Sequence, residues 1–241
     1  MNSKIDILAF GAHPDDIELS CAGTILKHIN LGKSVGVIDL TEGELGTRGT
    51  SFSRAKEAEV ASQLMGLKFR HNLNIEDGFI NTSNKGHQLD IIKFIRHYKP
   101  EIVLCNAKQD RHPDHAQASE LISKACFLSG LIKLESNFDG KKQDAWRPNQ
   151  VLHYIQWENI KPDFLIDISG FMDKKLEVVN AYESQFFNSK SVEPETPISS
   201  PQFINSVRYR AADLGRLLGV DYAEGFTSDK LIGLKHLDDL I

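Results

Sequence analysis

The chain has 241 residues, 41% hydrophobic and 25% charged, an ordinary globular balance that excludes a disordered or fibrous protein. Its formal net charge of -5 gives no general field to attract nucleic acid or an anionic membrane. A small anionic substrate would need a local basic pocket.

The first half alternates strand-like and helix-like patterns. Residues 5–10 (IDILAF) form an apolar run suited to a buried strand, and 34–40 (SVGVIDL) form another. Between them, 19–31 has helical spacing, with Leu19, Ala22, Ile25, Leu26 and Ile29 on one face and Gly32 as the stop. A second helix fits 53–65 and ends at Gly66; a strand follows over 68–74. A helix over 87–98 is closed by Lys99-Pro100, a strand covers 101–106, and a helix spans 114–128. This rhythm predicts an α/β, Rossmann-like, mostly parallel sheet flanked by helices, folded as one domain over 1–241. The second half adds short strands at 151–156 and 164–168 and helices at 171–184 and 203–218. Between those helices, 188–201 is polar and rich in Pro and Ser, the composition of a long loop.

Cys21, Cys105 and Cys126 are widely spaced and make no CxxC knuckle, which suits a reducing compartment. The N-terminal apolar stretch is too short for a signal sequence, and no run reaches bilayer length. A soluble, cytoplasmic protein with no nucleic-acid or membrane partner is expected.

Two short motifs carry the chemistry. Gly11-Ala12-His13-Pro14-Asp15-Asp16 follows the first strand, and Asp110-Arg111-His112-Pro113-Asp114-His115 follows the strand at 101–106. Open parallel sheets bind ligands beyond the carboxyl ends of their strands, where strand order reverses, so the two turns can meet. Catalytic zinc takes three protein ligands and leaves one position open, and His13, Asp16 and His115 supply two imidazoles and one carboxylate. Iron, cobalt or manganese would accept the same donors. Asp15, beside a metal ligand, is placed to act as general base on water. His112 can stabilise an oxyanion or protonate a leaving amine, and Asp114 can orient an imidazole. In the plainer alternative, Asp15, Asp16 and Asp114 cap the helices that follow them.

These motifs resemble those of the PIG-L/LmbE-like deacetylases, zinc-dependent sugar N-deacetylases. The segments DLTEGELGTRG (39–49), RAKEAEVASQLMG (54–66), YKPEIVLCN (98–106), DRHPDH (110–115), AYESQF (181–186) and YAEGF (222–226) are similar to the branch acting in bacillithiol biosynthesis. The resemblance implies one zinc ion per chain on His13, Asp16 and His115, with Asp15 as base. It also implies His112 as electrophilic or acid partner and Asp114 as its tuner. Arg54 would contact the sugar or the tetrahedral intermediate. The implied substrate is a small-molecule N-acetyl amino sugar, N-acetyl-α-D-glucosaminyl L-malate, and a homo-oligomer is expected. Mycothiol-type relatives place a tyrosine just before the second motif; Asp110 and Arg111 stand there instead. A malate aglycone carries two carboxylates, which makes Arg48 a second candidate substrate contact beside Arg54. Tyr182, Phe186, Tyr222 and Phe226 read as structural aromatics. Three alternatives remain open: a related deacetylase acting on another N-acetyl sugar or a thiol conjugate, a two-metal phosphoesterase, and a non-catalytic metal-dependent sugar-binding module.

Overall fold

A computed structural model describes residues 4–241. The first three residues of the N-terminal stretch read above lie outside the described residues. Strands β1 (Ile7–Gly11), β2 (Val35–Asp39), β3 (Arg70–Asn72) and β4 (Ile102–Cys105) alternate with helices α1 (Asp16–Asn30), α2 (Ser51–Met65), α3 (Lys85–Tyr98) and α4 (Pro113–Ser129). A small hairpin, β5 (Asn137–Phe138) and β6 (Lys141–Lys142), precedes β7 (Gln150–Tyr154) and β8 (Phe164–Asp167). Helices α5 (Met172–Asn180) and α6 (Pro201–Leu218) and a last strand β9 (Ala223–Ser228) complete the order.

The main sheet runs β3-β2-β1-β4-β7-β9-β8. β1 pairs in parallel with β2 on one side and β4 on the other, so the strand order reverses beside β1. β7 continues the parallel run, while β9 is antiparallel to both β7 and β8. The predicted mostly parallel α/β architecture is therefore the one observed.

β1 is buried on both faces, which is why its sequence is continuously apolar rather than alternating. Ile7 and Ala9 pack with Ile17, Ala22 and Ile25 of α1, Ala61 of α2 and Val178 of α5. Leu8 and Phe10 pack on the opposite side with Ile91 and Ile95 of α3 and Leu121 and Ile122 of α4. Helices α2 and α6 stop at glycines in a left-handed backbone, Gly66 (φ 77°) and Gly219 (φ 75°).

Three elements differ from expectation. α5 ends at Asn180, four residues short of the spacing-based limit of 184, and turns lead into buried Tyr182. β9 was not anticipated, because Glu224 and Gly225 interrupt its apolar pattern. Their presence has a cause: Glu224 reaches α1, whose backbone breaks at Cys21 (φ -139°, ψ 15°), and accepts the freed amides of Gly23 and Thr24 at 2.9 and 2.7 Å. Lys175 balances that buried carboxylate at 2.6 Å. The β5–β6 hairpin turns at Asp139-Gly140, both at positive φ, an Asp-Gly signal that the polar flanks obscured. Residues 188–200 hold no helix or strand, as their composition indicates. Among the described residues, no helix is long and apolar enough to cross a membrane.

Candidate active site

The two motif turns leave neighbouring strand ends. Gly11 closes β1 in space that only glycine fits, since a Cβ there would lie 2.9 Å from the His13 carbonyl oxygen. The Ala12 amide then donates to Oδ1 of Asn106, just beyond β4, at 2.9 Å, tying one turn to the other. Asp15 occupies the N-cap of α1 at φ 113°, a strained backbone for a non-glycine residue, and its side chain makes no capping bond. Its carboxylate faces Arg54 instead, at 3.3 Å. The helix-cap alternative therefore fails for Asp15. At the second turn, His112 caps α4, its Nδ1 accepting the Asp114 amide at 3.3 Å, with Pro113 in the first helical turn.

These turns bring the expected donors together. His115 Nε2 lies 3.1 Å from Asp16 Oδ1, and His13 Nδ1 lies 3.6 Å from Asp16 Oδ2. Ring nitrogens of His13, His112 and His115 lie within 4.8 Å of one another. Each outer nitrogen meets carboxylate: His13 Nε2 meets Asp77 at 3.0 Å and Asp114 at 3.3 Å, and His115 Nδ1 meets Asp110 at 3.0 Å. Imidazoles backed by carboxylates, beside the Asp16 carboxylate, are a donor set that fits a divalent ion. With its Nδ1 accepting a backbone N–H, His112 carries its neutral-state proton on Nε2.

The charges are strongly coupled. Burial opposes the charged form of His13, but Asp114, Asp16 and Asp77 outweigh it and hold its pKa well above the usual range. Burial likewise opposes the charge on His115, yet Asp16 and Asp110 raise it to about 9. Asp16 is pushed up by burial but held well below the usual carboxylate range by His115 and His13. Asp15 is raised to about 7, chiefly by burial, with Arg54 opposing. His112 is lowered by burial and by the neighbouring His13 and His115.

A cavity of about 400 Å³ opens on this cluster. His13, Asp15, Asp16, Arg54, His112 and His115 are among its lining residues. Trp157, Phe203, Val207 and Leu214 also line it, with Arg111 and Arg210 among the lining cations. The Arg111 guanidinium stacks on Trp157 at 4.2 Å, and Arg210 donates to the Trp157 carbonyl at 2.6 Å.

Two expected residues have surroundings other than those anticipated. Arg48 is buried, donates to Ser191 at 2.7 Å and approaches Glu193 at 3.5 Å, so its guanidinium engages the 188–201 segment and does not line the cavity. The Asp114 carboxylate lies on His13 and accepts the Gly78 amide at 2.7 Å; its link to His112 runs through the backbone.

Sequence reasoning missed Asp77, Asn106 and Gln156, and gave Asp110 no role. Asp110 stands inside the second motif and could have been found there. Asp77 lies in the loop after β3, far from either motif. Asn106 and Gln156 are neutral amides just beyond the ends of β4 and β7, a residue type that carries no chemical motif.

Comparison with known proteins gives a consistent result. Residues 8–126, which include both motif turns, match the family described as "PIG-L: GlcNAc-PI de-N-acetylase". The chain is 29% identical to the diacetylchitobiose deacetylase of Thermococcus kodakarensis, covering 93% of this chain and 83% of that protein. It is 32% identical over 130 residues to an uncharacterised deacetylase of Escherichia coli, covering 52% of this chain and 70% of the relative. A Bacillus anthracis protein named "Probable N-acetyl-alpha-D-glucosaminyl L-malate deacetylase 2" is 25% identical, covering 77% of this chain and 84% of the relative. Among solved structures, a conserved protein of Thermus thermophilus, TT1542, superposes with TM-score 0.85 at 34% identity, covering 96% of this chain and 98% of that one. Both the strand-end turns and the whole-chain likeness to named deacetylases lead to one assignment: the chain belongs to the PIG-L deacetylase family.

Proposed function

We propose that the chain removes the acetyl group from an N-acetylglucosamine-type conjugate, with one zinc ion held by His13, Asp16 and His115. The observation that carries this reading is the convergence of those donors and Asp15 on a single cavity. A divalent ion held there would polarise the acetamide carbonyl and acidify water.

The chain's own residues supply the rest. Asp15 takes a proton from the attacking water, with Arg54 holding its carboxylate at 3.3 Å. His112 turns Nε2–H toward the oxygen that gains charge, the donor position left once Nδ1 accepts the Asp114 amide. The proton held on Asp15 passes to the departing nitrogen as the C–N bond breaks, leaving acetate and a free amine. Asp110, Asp77 and Asp114 orient the two ligand imidazoles from behind.

The malate aglycone is the finer part of this proposal. It is supported by Arg111 and Arg210 at the cavity, since guanidinium groups bind carboxylates, and by likeness to the Bacillus protein. Likeness to the Thermococcus enzyme favours a second sugar in that place. Acetate release from N-acetylglucosaminyl malate and from diacetylchitobiose, measured on zinc-loaded protein, tests both levels. Release from the malate conjugate at the higher kcat/KM is expected. A preference for diacetylchitobiose overturns the malate assignment, and no release from either overturns the deacetylase reading. The proposed assembly is a homo-oligomer, checked by sedimentation.

A further inference from the structure

We propose that Asn106 and Gln156 form an amide clamp that selects which oxygen of Asp16 is offered to a metal ion. The inference rests on the reading of Asp16 as a metal ligand given above. A carboxylate has about four acceptor directions, two on each oxygen. Both on Oδ2 are filled, by the His13 amide at 2.9 Å and by Asn106 Nδ2 at 2.9 Å. One on Oδ1 is filled by Gln156 Nε2 at 3.0 Å. The remaining direction belongs to Oδ1, the oxygen that His115 Nε2 approaches to 3.1 Å.

The two amides are themselves fixed. Asn106 Oδ1 accepts the Ala12 amide at 2.9 Å, which turns its NH2 toward Asp16 and toward Gln156 Oε1 at 3.0 Å. Gln156 Oε1 also accepts the Ala107 amide at 3.2 Å, which turns its own NH2 toward Asp16. Asn106 is fully buried and Gln156 nearly so, and flipping either amide would leave buried donors facing donors. Asn106 follows β4 and Gln156 lies two residues past β7, so the sheet itself sets the clamp.

Neutral donors are the residue type this task needs. Lysine or arginine would cancel the charge of Asp16 and compete with an ion, and another carboxylate would repel it. A carboxylate with one open direction binds through a single oxygen. That suits the low coordination number of zinc rather than the crowded oxygen shell of calcium. Asn106 and Gln156 are thus positioning residues for the centre.

The test uses full-length Gln156→Leu, which removes the donor, and Asn106→Asp, which keeps the acceptor for Ala12 and replaces the donor. Zinc affinity is measured by competition with a chromophoric chelator, and the coordination shell by the visible spectrum of the cobalt(II) protein. Melting of the metal-free variants identifies any that do not fold, and the other variant then decides. Each folded variant is expected to bind zinc about 10–100-fold more weakly. Its cobalt bands should shift and weaken as Asp16 turns to offer both oxygens. At saturating zinc, kcat should fall while KM stays near the native value. Folded variants with native zinc affinity and a native cobalt spectrum overturn the clamp and leave the deacetylase reading intact. Native protein that takes up neither zinc nor cobalt overturns both.

Discussion

Arg54 stands between Asp15 and the loop after β2. Its Nη2 lies 3.3 Å from the Asp15 carboxylate and donates to the Pro14 carbonyl at 2.5 Å, while Nη1 donates to the Gly43 carbonyl at 3.0 Å. Gly43, at φ 68°, has room for this only because it lacks a side chain; a Cβ would fall 1.8 Å from Nη1. The planar fork of arginine meets all three oxygens, and the single ammonium of lysine cannot. Arg54→Lys is therefore expected to keep its metal and lower kcat by about 100-fold, through misplacement of Asp15. Metal analysis beside steady-state kinetics checks this, and unchanged kcat would remove Arg54 from the machinery.

Asp110 offers a second test, independent of substrate. Its Oδ1 meets His115 Nδ1 at 3.0 Å, and Oδ2 accepts the Trp157 amide at 2.8 Å. The carboxylate makes the imidazole a better donor and fixes its ring plane. Asp110→Asn preserves the shape and removes the charge, so zinc affinity should fall about 10–100-fold. Chelator competition measures it, and native affinity would show that His115 needs no such support.

Much of this was legible in the sequence, for identifiable reasons. The β1 run IDILAF reads as a strand because burial on both faces demands an unbroken apolar stretch. The paired His-Pro-Asp turns point to the candidate site because chemistry restricts both residue type and spacing. Arg48 was legible only as a cation: nothing in local sequence tells whether guanidinium serves substrate or, as here, Ser191 and Glu193 far along the chain. Asp77 escaped for the same reason, since its meeting with His13 depends on tertiary placement of a loop. β9 escaped because Glu224 is polar where the strand pattern asks for an apolar residue.

That glutamate carries a stability prediction. Glu224 accepts the Gly23 and Thr24 amides at the break in α1 and pairs with Lys175, both side chains about 3% exposed. Removing the carboxylate leaves a buried ammonium and two amides without partners, a change that costs about 3–5 kcal/mol. Glu224→Ala should show that loss in urea denaturation. Glu224→Gln with Lys175→Met should lose less, because no unpaired charge is left behind. Equal losses in the two variants would mean that the break in α1, and not the ion pair, sets the cost.

His153 makes stability depend on pH. On β7 it is almost fully buried: Nδ1 lies 2.8 Å from Ser119 Oγ, 3.3 Å from Cys105 Sγ and 3.1 Å from the Asn106 carbonyl. Among the described residues Nε2 has no hydrogen-bond partner, and Asp229, itself paired with Lys108, stands 3.6 Å away. Burial is the main cause that lowers its pKa from 6.5 to about 4, with Lys108 adding to it and the Asn106 carbonyl opposing. Above pH 6.5 the ring is neutral in both folded and unfolded chains, and its contribution is fully present. As pH falls from 6.5 toward 4, the unfolded chain binds the proton first, so folding stability drops by up to about 3 kcal/mol. Below that window both states are protonated and the loss levels off. His153→Asn removes the titration, so the stability of native protein relative to this variant should decline across that window. Urea denaturation of both metal-free proteins at pH 7 and pH 4 measures it, and a constant difference would place the imidazole in contact with solvent.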